Sequence, residues 1–343
     1  MSLAGPSPPR FAQSENRRCR ELRETPARSN EAKLQANMIV RSRPGLLTIL
    51  FTLRGSILPQ VAPKVLGITA VAFAVVAAEM RWPEAFPITA GVGPFTLIGL
   101  ALSIFLSFRN GACYDRWWEA RRAWGSLIVE TRGIARLLPA LLPEPEHADL
   151  RRRALRRISG FAHALHAQMR GGNEVAAALP WLPDDEAEAV ARGPSPADAI
   201  LARLSADLAD AYRTGALTDV LFGLIEQHVA ALSQAQVVCE RILTTPLPFA
   251  YTLLLYRTAW VYCLMLPFGL AASLGWATPL AVALVAYTFF GLDALGDELE
   301  DPFGMEPNDL PLDALLHTLD GIVLNALGEP TPPSRRPDRY LLT

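Results

Sequence analysis

Carboxylates near the end of the chain are the residues whose type and spacing most readily support chemistry. Aspartates recur every fourth residue at Asp293, Asp297 and Asp301. Further carboxylates stand between and after them, at Glu298, Glu300, Glu306, Asp309 and Asp313. Oxygen-rich clusters of this kind bind Ca²⁺ or Mg²⁺. The same residues would also form a solvated, negatively charged helix end that pairs with the many arginines of the chain, so the pattern leaves two interpretations open.

Other side chains that could perform covalent or metal chemistry are not arranged for it. His163 and His166 are spaced by three, without a third ligand or a helper carboxylate nearby in the sequence, so we interpret them as surface or packing residues. No Gly-x-Ser-x-Gly, phosphate-loop or zincin motif is present. The cysteines form no Cys-x-x-Cys pair and are expected to be reduced thiols; they are Cys19, Cys113, Cys239 and Cys263.

The composition indicates a membrane protein. The chain has 343 residues, of which 51% are hydrophobic, and a formal charge of −2. Apolar content this high predicts membrane segments, and the nearly neutral charge argues against a nucleic-acid-binding protein. Residues 1–37 are polar and rich in arginine, and they lack the apolar core of a signal peptide. We therefore expect them to form a disordered tail.

Three long uncharged stretches are the candidate membrane segments. Val65–Ala78 is short for a span, while Ala85–Tyr114 is long enough and should become regular helix near Pro94. The stretch Thr258–Leu292 is too long for one helix, and turn signals in Ser273–Pro279 predict a hairpin of two helices. The sequence therefore predicts four membrane helices.

The distribution of Lys and Arg predicts the orientation of these helices. The loop over residues 79–93 carries only Arg81, and the turn over residues 273–279 carries none. The other ends of the spans are basic, at Arg41, Arg43, Arg54, Lys64, Arg109, Arg116, Arg121, Arg122 and Arg241. By the positive-inside rule, both termini and the long middle segment lie on the cytoplasmic side. The helices are expected to span the inner membrane of a cell.

The middle segment is too long for a loop and is expected to fold into helices. Helical periodicity is present in Arg151–Arg170, Pro196–Arg213 and Leu217–Leu243. The predicted organisation is an all-α membrane protein with six segments. They are a tail (1–37), an N-terminal segment with membrane helices 1 and 2 (38–114), a cytoplasmic helical bundle (115–243), membrane helices 3 and 4 (244–295), a cytoplasmic helical segment (296–327) and a flexible tail (328–343).

The second predicted span carries two parallel rows of residues. Small residues recur every fourth position, a spacing that lets helices pack closely in lipid; they are Gly99, Ser103, Ser107 and Gly111. One position along, Leu100, Ile104 and Phe108 form an apolar ladder on a single helix face. Periodicity alone favours a ladder that faces lipid or a bundle core. The alternative is that several copies of the helix surround an axis, so that the ladder forms stacked apolar rings.

Aromatic and basic residues follow these rows at once. Arg116, Trp117, Trp118 and Trp124 have the composition of an anchor at a membrane–water interface, where tryptophan is enriched. The anchor predicts that the second helix is held at a fixed depth in the bilayer.

Several motifs resemble those of one known family. The stretch "SIFLSFRNGACYDRWWEARRAWG" resembles the second-helix signature of bestrophins, especially their bacterial members. The stretches "TPLPFAYTLLLYRT", "LMLPFGL" and "TFFGLDALGDELEDPFGMEPNDLPLD" resemble later bestrophin segments in the same order, so that the similarity covers residues 38–327. The resemblance implies a homopentameric ion channel with four membrane helices per subunit, four further copies of itself as partners, and a central pore for monovalent ions.

The resemblance also assigns roles to residues. It implies that Leu100, Ile104 and Phe108 line a narrow pore neck, and that a second aperture lies near Val220–Ile225. In animal bestrophins an acidic run forms a calcium clasp, whose matching positions here would be Glu298, Asp301, Glu306 and Asp309. Met305 and Pro307 interrupt that run, so we expect neither Ca²⁺ activation nor any other cofactor.

Three alternatives stay open from the sequence. The family is best known for chloride and other anions, but some bacterial members pass cations, and an apolar neck carries no charge to decide between them. A Mg²⁺-dependent membrane enzyme with aspartates at the membrane surface is disfavoured, because the comparable prenyltransferases have about twice as many spans. A signalling or scaffold subunit would show no conductance.

Overall fold

The computed structural model describes residues 38–39, 55–82, 93–183, 186–333 and 341–342. These residues are almost wholly helical. The α-helices are α1 (Leu58–Arg81), α2 (Gly93–Leu141), α3 (Ala148–Met169), α4 (Glu174–Ala178), α5 (Ala187–Ala191), α6 (Pro196–Arg213), α7 (Asp219–Thr244), α8 (Phe249–Leu274), α9 (Thr278–Glu300) and α10 (Leu312–Leu327). Short 3₁₀ turns lie at Leu179–Trp181 and Gly275–Ala277. The predicted tail 1–37 and the basic residues Arg41, Arg43 and Arg54 lie outside the described residues.

One small β-pair accompanies the helices. Strand β1 (Met38–Ile39) pairs antiparallel with β2 (Leu341–Leu342), which joins residues near the two ends of the chain. The all-helical expectation is therefore correct for the body of the molecule but omits this pair. Two-residue strands leave too little hydrophobic pattern in the sequence to be recognised.

Three helical segments are long and apolar enough to cross a membrane: α1, α2, and the continuous segment Phe249–Glu300. The last of these turns back on itself, since α8 and α9 are separated by the 3₁₀ turn at Gly275–Ala277. Gly275 has φ +52°, a conformation that a residue with a side chain rarely adopts. Pro279 then stands at the start of α9, where its missing N–H costs nothing. The break falls at the turn that the sequence predicts.

Helix α2 is much longer than a membrane crossing. Its 49 residues extend about 74 Å at 1.5 Å per residue. The predicted boundary between residues 114 and 115 lies inside this helix, without a change of backbone conformation. The change from apolar to charged residues at that point therefore marks a change in the surroundings of one continuous helix. It does not mark a linker between domains. The helix is described from Gly93, one residue before Pro94.

Two apolar cores pack against different parts of α2. One core joins the first half of α2 to α1, α8 and α9, and it includes Ile68, Leu106 and Phe290. The other joins the second half of α2 to α3, α6, α7 and α10, around Trp124 and Phe161. Because α2 belongs to both cores, it connects the apolar helices α1, α8 and α9 to the bundle as a single element.

The bundle helices begin where the sequence supplies caps. The side chain of Ser195 accepts the N–H of Asp198 at the start of α6, and Thr218 accepts the N–H of Leu221 at the start of α7. Helix α6 matches its predicted range, and α3 and α7 differ from theirs by a few residues. The last predicted membrane segment ends at residue 295, whereas α9 continues to Glu300.

Candidate functional site

The apolar ladder on α2 lies on the outer surface of the subunit. Leu100, Ile104 and Phe108 are 59%, 46% and 66% exposed. Large apolar side chains in such a row require a partner, which is lipid, another subunit or a pore wall. The ladder therefore does not belong to the core of its own subunit.

The row of small residues packs within the subunit at one position only. Gly99 is buried, and a Cβ atom there would lie 2.6 Å from the hydroxyl oxygen of Tyr262 on α8. Ser103 and Ser107 are exposed, and Gly111 has open space around its Cα atom. Three of the four small residues thus remain available to contact a neighbouring helix from outside the subunit.

A third row of residues on α2, which the sequence reasoning missed, makes the contacts within the subunit. Its members are Gly99, Leu102, Leu106, Arg109 and Cys113, and all of them are buried. The spacing of three and four residues is that of one helix face. Arg109 stands at the end of an apolar run in the sequence. A charge at such a position more often indicates the orientation of a membrane helix than a buried contact.

Arg109 is the centre of a buried ion cluster between α2 and α9. Its Nη1 lies 3.1 Å from Asp293 Oδ1, and its Nη2 lies 2.5 Å from Asp297 Oδ1 and 3.4 Å from Glu300 Oε2. The side chain of Arg109 is fully buried and that of Asp293 nearly so. Three acidic residues of the C-terminal row, which could have bound a metal, therefore surround an arginine.

Gly296 allows this cluster to form. A Cβ atom at that position would lie 2.6 Å from Asn110 Oδ1 and 3.0 Å from Arg109 Nη1. A side chain on α9 at this point would push the guanidinium away from its carboxylates. Asn110 adds a further link by donating from Nδ2 to the carbonyl oxygen of Leu292, 2.9 Å away. The close approach of α2 and α9 thus depends on a glycine.

Arg116 closes the ends of two helices. Its guanidinium donates to the carbonyl oxygens of Ile242 and Thr245 at the end of α7, both at 2.6 Å, and to that of Glu300 at the end of α9, at 3.1 Å. The last carbonyls of a helix have no partner within the helix and carry its partial negative charge. Arg116 therefore joins three helices at the level where the apolar segments meet the bundle.

The three tryptophans occupy different surroundings. Trp118 is exposed, and Trp117 stacks on it with ring centroids 6.2 Å apart while donating from Nε1 to the carbonyl of Asn308 at 3.0 Å. Trp124 is 0% exposed and lies in the core of the bundle. The prediction that Trp124 is an interfacial anchor is wrong, because α2 carries it a further turn and a half along and packs it against the other bundle helices.

Two of the four residues of the predicted cation cluster, Glu298 and Asp309, accept hydrogen bonds. Glu298 accepts the side-chain amides of Gln60, at 3.1 Å, and of Asn308. Asp309 Oδ2 accepts the N–H of Glu306 at 2.6 Å. Within the described ranges, no group of three or more His, Cys, Asp or Glu side chains is placed to hold a metal ion. Glu298 and Asp309 therefore take part in the hydrogen bonds that hold this loop.

Asp309 has the most unusual electrostatic surroundings of this loop. Burial, together with nearby Asp301, raises the pKa of its carboxyl to about 7, while the N–H of Glu306 opposes the shift. Arg170 donates to the carbonyl oxygens of Gly304 and Leu310 in the same loop, and burial lowers the pKa of its guanidinium. The loop is therefore held to α3 through its backbone.

The histidines of α3 are paired with carboxylates on α10. His163 Nε2 lies 3.0 Å from Asp320 Oδ2, and His166 Nε2 lies 2.9 Å from Asp313 Oδ1. Both contacts join two helices of the bundle, α3 and α10. This agrees with the interpretation of His163 and His166 as packing residues.

The first turns of α7 carry the residues expected near a second aperture. Val220 and Leu224 are exposed, whereas Ile225 is fully buried in the bundle core. Within Val220–Ile225, Val220 and Leu224 are the exposed side chains, while Leu221 and Phe222 pack against the bundle core.

Comparisons with known proteins agree with this architecture. The model of a family described as "Bacterial/Fungal Bestrophin protein" matches residues 38–324. A protein of Mesorhizobium japonicum named "Voltage-dependent anion channel-forming protein mll4386" is 46% identical over 296 residues, which is 86% of this chain and 94% of the relative. The Escherichia coli K12 protein named "Voltage-dependent anion channel-forming protein YneE" is 38% identical over 304 residues, covering 88% and 99%.

Solved structures give the same result. The crystal structure of a bacterial bestrophin homolog from Klebsiella pneumoniae superposes with a TM-score of 0.75 and 34% identity, covering 79% of this chain and 99% of the other. A single-residue variant of that homolog superposes with the same TM-score.

Proposed function

The chain belongs to the bacterial and fungal bestrophin family, and on that premise we propose that it forms an anion channel in a membrane. The observation that carries this proposal is the near full-length match to relatives named as anion channel-forming proteins. The apolar segments α1, α2 and α8–α9 are consistent with it. An enzymatic role has no comparable support, since Asp293, Asp297 and Glu300 are engaged by Arg109.

Several subunits are needed to build the pore. The ladder of Leu100, Ile104 and Phe108 lies on the outside of one subunit, so it can line a channel only when copies of α2 surround a common axis. We take the assembly to be a homopentamer, as the family resemblance implies. Ser103, Ser107 and Gly111 are exposed beside the ladder, where they would let the next subunit approach closely.

The ladder would act as a hydrophobic neck. Three rings of apolar side chains, each about 6 Å further along the helix, offer a permeating ion no replacement for its hydration shell. Such a constriction can close by losing its water and open by a small widening. A second narrow point is proposed where the exposed Val220 and Leu224 of α7 face the axis.

Anions are the favoured permeant ions. The neck itself has no charge, so selectivity depends on the charges at its inner end. The acidic row that begins at Asp293 is the sequence argument for cations, and Arg109 compensates one of its negative charges. The relatives are named for anions. Monovalent-cation selectivity is the alternative, and the sign of the reversal potential under a salt gradient distinguishes the two.

We infer that the protein has no strong voltage sensor, although the relatives are named as voltage-dependent. Voltage sensors carry rows of arginine within a span. Arg257 is the one arginine of α8, and it is exposed, so this helix carries no row of arginines. We expect any voltage dependence to be shallow. Both termini and the bundle are proposed to lie on the cytoplasmic side of the inner membrane.

The test of the neck is a triple alanine variant, L100A/I104A/F108A, studied as single channels in planar lipid bilayers. A wider, wetter neck should raise the open probability or the conductance. The matched control is F73A/L280A/L284A, which removes one aromatic and two aliphatic side chains that are exposed on α1 and α9. Unchanged currents from a folded ladder variant, or equal changes in the control variant, would show that the ladder does not form the gate.

A further inference from the structure

A basic groove lies in the bundle, between the second half of α2 and the helix α10. Its volume is about 820 Å³. Its polar wall includes Arg132, Arg136 and His317, and its apolar wall includes Val129 and Ile322. None of the residues that line the groove is acidic. A groove with this lining favours a negatively charged occupant.

The carboxylates closest in sequence to these cations are occupied elsewhere. Glu130, two residues before Arg132, lies 2.6 Å from His228 Nδ1. Asp320, three residues after His317, lies 3.0 Å from His163 Nε2. These two acids therefore pair with histidines on other helices.

The two arginines remain available to a ligand. Both side chains are exposed, and Arg136 uses only its Nε, which donates to the carbonyl oxygen of Arg132 at 3.2 Å. The Nη atoms of Arg136, and the guanidinium of Arg132, contact no carboxylate within the part of the chain that the structure describes. Two guanidinium groups four residues apart lie on the same helix face, where both can donate hydrogen bonds to the oxygens of one phosphate or carboxylate.

We propose that this groove binds a small soluble anion that carries phosphate or carboxylate groups. A lipid head group is not the ligand. If Trp118 lies at the membrane interface, as the sequence predicts, Arg132 is 14 residues further along the helix, or about 21 Å away. Head groups extend only about 5–8 Å beyond the hydrocarbon core. This step rests on the proposed membrane placement, whereas the charge of the groove does not.

The test is calorimetric titration of the purified full-length protein in detergent with inorganic pyrophosphate, and separately with citrate. The wild type should bind at least one of them saturably, with one site per subunit. The variant R132A/R136A should bind at least about tenfold more weakly, because it loses charge-assisted hydrogen bonds. The control variant R152A/R203A removes two exposed arginines outside the groove and should bind within about twofold of wild type.

A second pair of variants tests the groove by charge alone. Gly321 of α10 lines the groove and has open space where a Cβ would stand, so it accepts a side chain. G321E should abolish anion binding, and G321Q, of the same size without the charge, should retain most of it.

Three results would overturn the proposal: no saturable binding of either anion to wild type, equal losses in R132A/R136A and its control, or equal binding by G321E and G321Q. None of these measurements depends on ion conduction, so a failed channel function and a failed anion site give different results.

Discussion

Replacing Arg109 by methionine should destabilise the protein more than removal of any exposed charge. Methionine fills much of the same space but leaves Asp293, whose side chain is 5% exposed, without its cation. Breaking a buried ion pair from one side costs about 3–5 kcal/mol. Asp297 and Glu300 are 62% and 22% exposed, so water compensates them better and they add less.

The assay is thermal unfolding of the detergent-solubilised protein, followed by the loss of the native peak in size-exclusion chromatography. A loss of about 3–5 kcal/mol corresponds to a fall in Tm of about 4–7 °C for a chain of this size, because the unfolding entropy is about 2.1 cal/mol/K per residue. The control variant is R213M, which breaks the exposed pair of Arg213 with Asp210 and should cost less than about 1 kcal/mol.

A second substitution distinguishes the lost charge pair from lost packing. Adding D293N to R109M removes the unpaired carboxylate, so that the double variant should regain at least half of the lost Tm. The reasoning would be refuted if R109M melted within about 2 °C of R213M, or if D293N gave no recovery in the R109M background.

Further predictions concern assembly, packing and pH. Leucine at Ser103 or Ser107 should weaken the contact between subunits, seen as a shift to smaller species in native mass spectrometry; an intact oligomer would assign the small row no role in assembly. Trp124→Ala should cost about 3–5 kcal/mol as a core truncation, whereas Trp118→Ala should cost clearly less; equal Tm losses would contradict the burial of Trp124. The carboxyl of Asp309 has a folded pKa of about 7, above its unfolded value of 3.8. Its stabilising contribution is therefore full below about pH 4 and is lost as the pH rises to about 7. Between about pH 5 and pH 8, the free energy of unfolding of D309N should rise relative to that of wild type by up to about 3 kcal/mol. Parallel curves of stability against pH for the two proteins would count against the buried carboxyl.

Some parts of the site were readable from the sequence because they depend on local rules. The turn at Gly275 follows from a glycine and a proline between apolar runs, and the ladder of Leu100, Ile104 and Phe108 follows from helical periodicity. Family resemblance then gave the ladder a role that periodicity alone did not favour. The exposure of all three side chains is compatible with that role.

Other parts could not be read because they depend on contacts between distant segments. The acidic row at Asp293 was open to two interpretations, and the partner that decides between them, Arg109, is 184 residues away in the chain. Trp124 has the same type and setting in the sequence as Trp117, but the continuation of α2 into the bundle buries it. Arg116 was expected to mark the membrane surface, and its contacts with two helix ends are invisible in a one-dimensional pattern.

The most direct test of the central claim is the reversal potential of the purified protein in planar bilayers under a tenfold KCl gradient. An anion channel requires a reversal potential displaced toward the chloride equilibrium potential, in wild type and in L100A/I104A/F108A alike, because the neck carries no charge. A reversal potential displaced toward the potassium equilibrium potential would contradict anion selectivity. The absence of any current from a folded, assembled protein would contradict the channel itself.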